Sequence, residues 1–178
     1  KGDINWWEKT SERVGTPYIV DREGIINQIF DDKYWIHHLG IKQYMLNQFG
    51  SRVSNERLNQ LSIGIEIDSW GGLVKKNGKW YNSANQEMKC EEVQEYSRGY
   101  RGFYAFEKYT PKQLQATKEL LQYLISKYNI PKEYNENMFD FNSQAIRGTH
   151  GIWTHTSYRP DKSDCHPQPE LIAILKSL

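Results

Sequence analysis

The chain has 178 residues, 23 basic and 22 acidic, and a net charge of +1, so no bulk attraction to nucleic acid or an anionic membrane is expected. Mean hydropathy is −0.80 and no run approaches the roughly 20 apolar residues of a bilayer span, while the length suits one domain with a full core. Aromatic residues make up 13% of the chain, which in so hydrophilic a sequence leaves many rings near the surface as flat platforms for sugar or peptide.

The segment Ile4 to Lys9, with Trp6 and Trp7 adjacent, reads as a short helix that puts one tryptophan ring into the core. Pro17 to Asp21 and Gly24 to Phe30 are β-rich runs separated by Arg22-Glu23-Gly24, a hairpin pattern. Tyr34 to Gly40 follows as an aromatic loop or a short strand, and Ile41 to Asn59 is helical in part, broken at Gly50-Ser51. In Leu61 to Asp68, Ile63, Ile65 and Ile67 alternate with small or acidic residues, which predicts a strand with one buried face. Gly71 to Asn82 forms a hairpin around Asn77-Gly78, the favoured two-residue turn. Residues 83–106 are polar and poorly periodic and read as an inserted surface region, whose aromatic part from Tyr96 to Tyr104 serves as a glycan platform, a lid or plain surface packing.

Thr110-Pro111-Lys112-Gln113 opens the best helix, with Thr as N-cap, Pro at the first position and Gln at the third. Leu114, Thr117, Leu121, Leu124, Ile125 and Tyr128 give it an apolar stripe, and Asn129-Ile130-Pro131 stops it. Gly151 to Thr154 reads as a short strand delivering His155, and a helix starting near Pro169 ends the chain. Strands and helices alternate, so the fold class is α/β, with a single mixed β-sheet flanked by helices.

The stretch from Thr154 to Pro167 packs two histidines, a cysteine, two aspartates and a lysine into one proline-interrupted loop. Imidazole and thiolate are preferred zinc ligands, and His155 and Cys165 are spaced for a loop that leaves an element and returns to one ion. A metal with few protein ligands usually serves catalysis. The only other cysteine is Cys90, which is a free thiol if Cys165 binds metal; a lone Cys90–Cys165 disulfide is the alternative. The chain opens at Lys1 without an initiator methionine or a signal-peptide pattern, and reads as a mature fragment or an excised domain.

Five segments in this order resemble the zinc-dependent N-acetylmuramoyl-L-alanine amidases, the family of phage lysozymes, bacterial amidases and peptidoglycan-recognition proteins. They are Val14 to Ile26, Trp35 to Gly40, Ser62 to Glu66, Tyr109 to Leu114, and His155 with Cys165. The resemblance implies a single amidase-like domain over residues 1–178, incomplete at its N-terminus. The family's first ligand lies on a His-His-Thr-type strand ahead of the Trp-rich helix, and the sequence starts after that point.

The resemblance further implies zinc held by His155 and by Cys165, with Asp164 the runner-up because Lys162-Ser163-Asp164 also resembles the family's lysine-any-aspartate form; thiolate softness favours Cys165. Lys162 is expected to stabilise the oxyanion, and Glu66 to act as an acid or base near the metal unless its strand turns it to solvent. Trp35 and His38 are expected to line the substrate groove, with His37 beside them. Thr16 stands where some phage members carry a tyrosine, and offers a weaker assisting group. The implied reaction is hydrolysis of the amide between N-acetylmuramic acid and L-alanine, as a phage lysin, an autolysin or an effector. The implied partner is peptidoglycan or a muropeptide, with no nucleic acid or membrane and the chain a monomer. The alternative is a recognition module of the same fold that binds muropeptide without cutting it.

Overall fold

The computed structural model describes residues 2–178, apart from the side chains of residues 2–4 and 6. Helix α1 (Gly2–Lys9) lies where the sequence places it. The ring of Trp6 is outside the described residues. Trp7 is half-buried, and its ring would stand 3.1 Å from a Cβ placed on Gly15.

The strands form two sheets, where the sequence suggested one. In the first, β1 (Tyr18–Val20) is central, antiparallel to β2 (Ile26–Gln28) and parallel to β3 (Ile65–Ile67). Between β2 and β3 run two short helices, α2 (Gln43–Gln48) and α3 (Asn55–Gln60). The second sheet is antiparallel and built from β4 (Gly72–Lys76), β5 (Lys79–Tyr81), β6 (Val93–Tyr100) and β7 (Phe103–Glu107), in the order β5-β4-β7-β6. The division has a local cause. The N–H of Asp68 still donates to the Val20 carbonyl at 3.0 Å, but Gly71 then turns the chain with a φ of 69°. Only glycine adopts that angle cheaply.

The hairpin expected at Asn77-Gly78 is present, and its two residues take φ values of 48° and 81°, as a two-residue turn that matches strand twist requires. The expected surface region at 83–106 is instead largely the β6–β7 hairpin, with Phe106 and Ala105 buried. Its register shifts between Glu95 and Tyr100, where Gly99 has a φ of 69°, so the alternation that announces a strand is interrupted. The expected strand at Gly151 to Thr154 is also absent; that segment is irregular and runs into α6, described below.

Helix α4 (Pro111–Tyr128) begins with the capping box read from the sequence: Thr110 Oγ1 accepts from the Gln113 N–H at 3.1 Å, and Gln113 Oε1 accepts from the Thr110 N–H at 3.0 Å. Asn129, in the left-handed region, closes it. Its buried stripe is Gln113, Leu114, Ala116, Thr117, Leu120 and Leu124, so Leu121, Ile125 and Tyr128 of the expected stripe lie off it. Gln113 accounts for the rotation: its amide donates to the carbonyls of Val20 (3.3 Å) and Asp68 (2.8 Å), tying the ends of β1 and β3 to the helix start. Ala116, Leu120 and Leu124 then pack on Tyr18 and Val20. Each fully buried leucine there contributes about 1.5–3 kcal/mol.

The remaining helices are α5 (Ser143–Ile146), α6 (His155–Tyr158) and α7 (Pro169–Lys176). α5 and α6 share a core with α2 and α3 through Ala145, Ile146, Tyr158, Met45, Leu46 and Leu58, while α7 packs Leu171 and Leu175 against Tyr109 and Leu114. Among the described residues, no helix is long and apolar enough to cross a membrane.

Candidate active site

The loop 34–40 is held from beneath. The His37 N–H donates to the Arg13 carbonyl (2.8 Å), the Gly15 N–H donates to the His37 carbonyl (3.1 Å), and Asn59 Oδ1, fully buried, accepts from the N–H groups of His38 (2.7 Å) and Leu39 (3.0 Å). The Leu39 carbonyl is thereby aimed outward. It accepts from His155 Nε2 at 3.0 Å, across 116 positions of sequence. A carbonyl cannot donate, so Nε2 carries a proton. Nδ1 lies 2.9 Å from Asp164 Oδ2, where its N–H donates to the carboxylate.

Metal-binding histidines commonly have one nitrogen fixed by a backbone carbonyl in this way, and Nδ1 would be the nitrogen that meets an ion once it gives up the proton it shares with Asp164. The Asp164 carboxyl stands where a second ligand would. Burial pulls its pKa up, but the hydrogen bond to His155 and the charges of His155 and Lys162 outweigh this and hold it below the usual carboxylate value. Cys165 is next in sequence but lies differently: its thiol packs with Tyr109 and α7, and burial pushes its pKa up to about 12. Of the two candidates for the third position, it is thus Asp164 that faces His155. The donor set fits two positions of a zinc site, and among the described residues no three His, Cys, Asp or Glu side chains group around one point.

The other residues singled out in the sequence distribute as follows. His38 neighbours His155 and His37, whose charges act on it. Its Nδ1 lies 2.9 Å from the Ile36 carbonyl and its Nε2 2.8 Å from Ser62 Oγ. Burial pushes its pKa down to about 4, so the ring is neutral near pH 7. Trp35 is half-buried, edge-on to His37 at 5.1 Å, with the Arg13 guanidinium 5.2 Å from its ring centre. Thr16 is buried and its hydroxyl donates to the Tyr18 carbonyl at 2.9 Å, so it supports the wall beneath His38. Gly64 makes room for both: a Cβ there would stand 2.8 Å from Thr16 Cγ2 and 3.1 Å from His38 Cγ. Glu66 is half-buried, in register with Ile19, and its charge raises the pKa values of Tyr109 and Cys165, which places it on the thiol side of the loop. Lys162 is half-buried beside Asp164.

Several supports of the loop carry no sequence signal of their own. Arg101, at the β6–β7 turn, donates to the carbonyls of Pro160 (3.0 Å) and Phe139 (3.5 Å) and pairs with Asp140 at 3.2 Å. The Tyr100 hydroxyl donates to the Phe139 carbonyl at 2.7 Å. Thr154 and Ser157 both donate to the Met138 carbonyl. Arg159 pairs with Asp161 and lies against Gly40. The second histidine of the loop, His166, is a structural wedge. It is buried between Phe106 and Tyr109, with ring centres 4.8 Å and 4.6 Å away. Its Nε2–H donates to the Glu107 carbonyl (3.0 Å), which leaves Nδ1 to accept from the Tyr96 hydroxyl (2.8 Å).

The mixed α/β fold sets an oriented histidine beside a carboxylate on one loop, and the chain matches the sequence model of a known family. The family N-acetylmuramoyl-L-alanine amidase matches residues 2–169, and the chain belongs to that family. No curated protein and no solved structure gives a match.

Proposed function

We propose that this amidase hydrolyses the amide joining the lactyl group of N-acetylmuramic acid to L-alanine in peptidoglycan. The observation that carries the reading is His155, oriented by the Leu39 carbonyl with Nδ1 turned to Asp164. His155 with Asp164 or Cys165 would hold zinc, which when bound polarises a carbonyl and lowers the pKa of water to ~7. An amide is a poor electrophile, so charge on the tetrahedral oxygen also needs neutralising, and Lys162, whose charge is felt at Asp164, would supply that. Glu66, on the thiol side, would hold or move a proton, and neutral His38, bonded through both nitrogens to Ile36 and Ser62, would line the site without adding positive charge. Trp35 and His38 would line the substrate groove, with His37 beside them.

The second reading is a recognition module of the same fold that binds muropeptide without cutting it. One experiment separates them: metal analysis of the purified protein, with mass spectrometry of the products released from purified cell walls. The amidase reading expects about one zinc per chain, new L-alanine amino groups, and loss of both in His155→Ala. Wall binding without new amines, at any zinc loading, would establish the module.

A further inference from the structure

An open groove of about 750 Å³ lies on the second sheet, away from His155. Leu73, only 2% exposed, is its floor; Trp80, Phe103 and Tyr104 supply rings, and Lys75 and Glu95 supply charge. The Trp80 indole packs against the cluster of Leu73, Val93 and Ala105, and its Nε1–H donates to Glu95 at 3.0 Å, so the ring reaches from β5 to β6. The Lys75 ammonium lies 4.8 Å from the ring centre. A ring fixed at both ends meets a ligand with little loss of side-chain freedom. Tyr104, 62% exposed, leaves its ring open to the same space.

The electrostatics select a neutral occupant. Lys75 and Glu95 offset one another, and the nearby Lys79 is paired with Glu87 at 2.7 Å. Flat rings beside isolated hydrogen-bonding groups match the apolar faces and equatorial hydroxyls of a pyranose. The groove is also joined to the site: Tyr96, which lines it, donates to His166 next to Cys165, and Arg101, beside the lining residue Gly102, donates to Pro160 in the same loop.

From these observations we infer that the groove of the second sheet binds the glycan strand of the polymer whose peptide amide meets His155. The inference rests on the proposed substrate for its choice of sugar. It therefore expects binding of an N-acetylglucosamine oligomer that carries no peptide.

The test is calorimetric titration of the full chain with β-1,4-linked N-acetylglucosamine tetramer. Binding is expected for the native protein and for His155→Ala alike. Tyr104→Ala, at an exposed position that leaves folding intact, is expected to weaken it about three- to tenfold, and Trp80→Ala and Glu95→Gln at least as much. Absence of binding at millimolar tetramer, or equal affinity in the native protein and Tyr104→Ala, would overturn the inference. So would displacement of the tetramer by a free stem peptide. Tetramer binding that Tyr104→Ala weakens, in a protein that releases no amines from cell walls, keeps the groove and removes the amidase reading. Amine release without tetramer binding does the reverse.

Discussion

Asp32 is the most heavily bonded carboxylate remote from the site, and its removal tests how α4 is held. Its side chain is 1% exposed, and it accepts from Tyr18 Oη (2.8 Å), Tyr128 Oη (2.8 Å) and Lys127 Nζ (2.8 and 3.1 Å). Bonds to a charged group are worth about 1.5–3 kcal/mol each, but they are not lost equally. Lys127 and Tyr128 are partly exposed and can turn to water, whereas Tyr18 is 4% exposed and its hydroxyl is left stranded. Asp32→Ala is therefore expected to cost roughly 1–3 kcal/mol, the range for leaving one buried polar group unpaired. Asp32→Asn, which keeps one acceptor, should cost about half of that, and Tyr18→Phe about 1 kcal/mol. Urea unfolding followed by circular dichroism measures all three. Burial raises the Asp32 pKa, but the bonds from Lys127, Tyr18 and Tyr128 outweigh this and leave it below the ordinary value of 3.8. The carboxylate's contribution is thus fully present above that pH and lost as pH falls through the lower folded value. The gap between the native protein and Asp32→Asn should hold steady at neutral pH and shrink in acid. A cost below about 1 kcal/mol for Asp32→Ala, or a gap that widens in acid, would refute the reasoning.

Gly64→Ala is expected to push His38 out of place and to lower amide cleavage far more than stability; adding Thr16→Ser, which deletes the opposing methyl, should restore part of the rate. Arg101→Met frees the Pro160 and Phe139 carbonyls, with about 1–2 kcal/mol lost in urea unfolding and roughly tenfold slower cleavage at unchanged secondary structure. Gly24→Ala meets both a φ of 78° and a Lys112 carbonyl oxygen 2.7 Å from the new Cβ, so a loss of about 2–4 kcal/mol is expected in the same assay. Asp164→Asn should weaken zinc retention about 10–100-fold, whether the carboxylate binds the ion or orients His155, as dialysis against chelator will measure.

What the sequence made legible was local chemistry. The Thr110–Gln113 box, the Asn77-Gly78 turn and the β1–β2 hairpin each rest on residues within a few positions of one another. The elements that escaped it depend on distant partners. Gln113 looks like a surface residue until Val20 and Asp68 present their carbonyls, and β6 looks irregular until β7 shows where its register shifts. The order of the five motifs identified the family, and the structure sets His155 against the Leu39 carbonyl and Asp164. That Asp164 faces it while Cys165 packs into the core could not be read from spacing, because adjacent residues take opposite directions from the same loop.

The acceptor that sets His155 is main chain, and this decides which changes the enzyme tolerates. Replacing the Leu39 side chain with another apolar one alters packing but leaves the imidazole's proton where it is. Lengthening or shortening the loop around it moves the oxygen itself. Redesign for a different wall chemistry can therefore vary side chains along that rim, so long as the number of residues in it is kept.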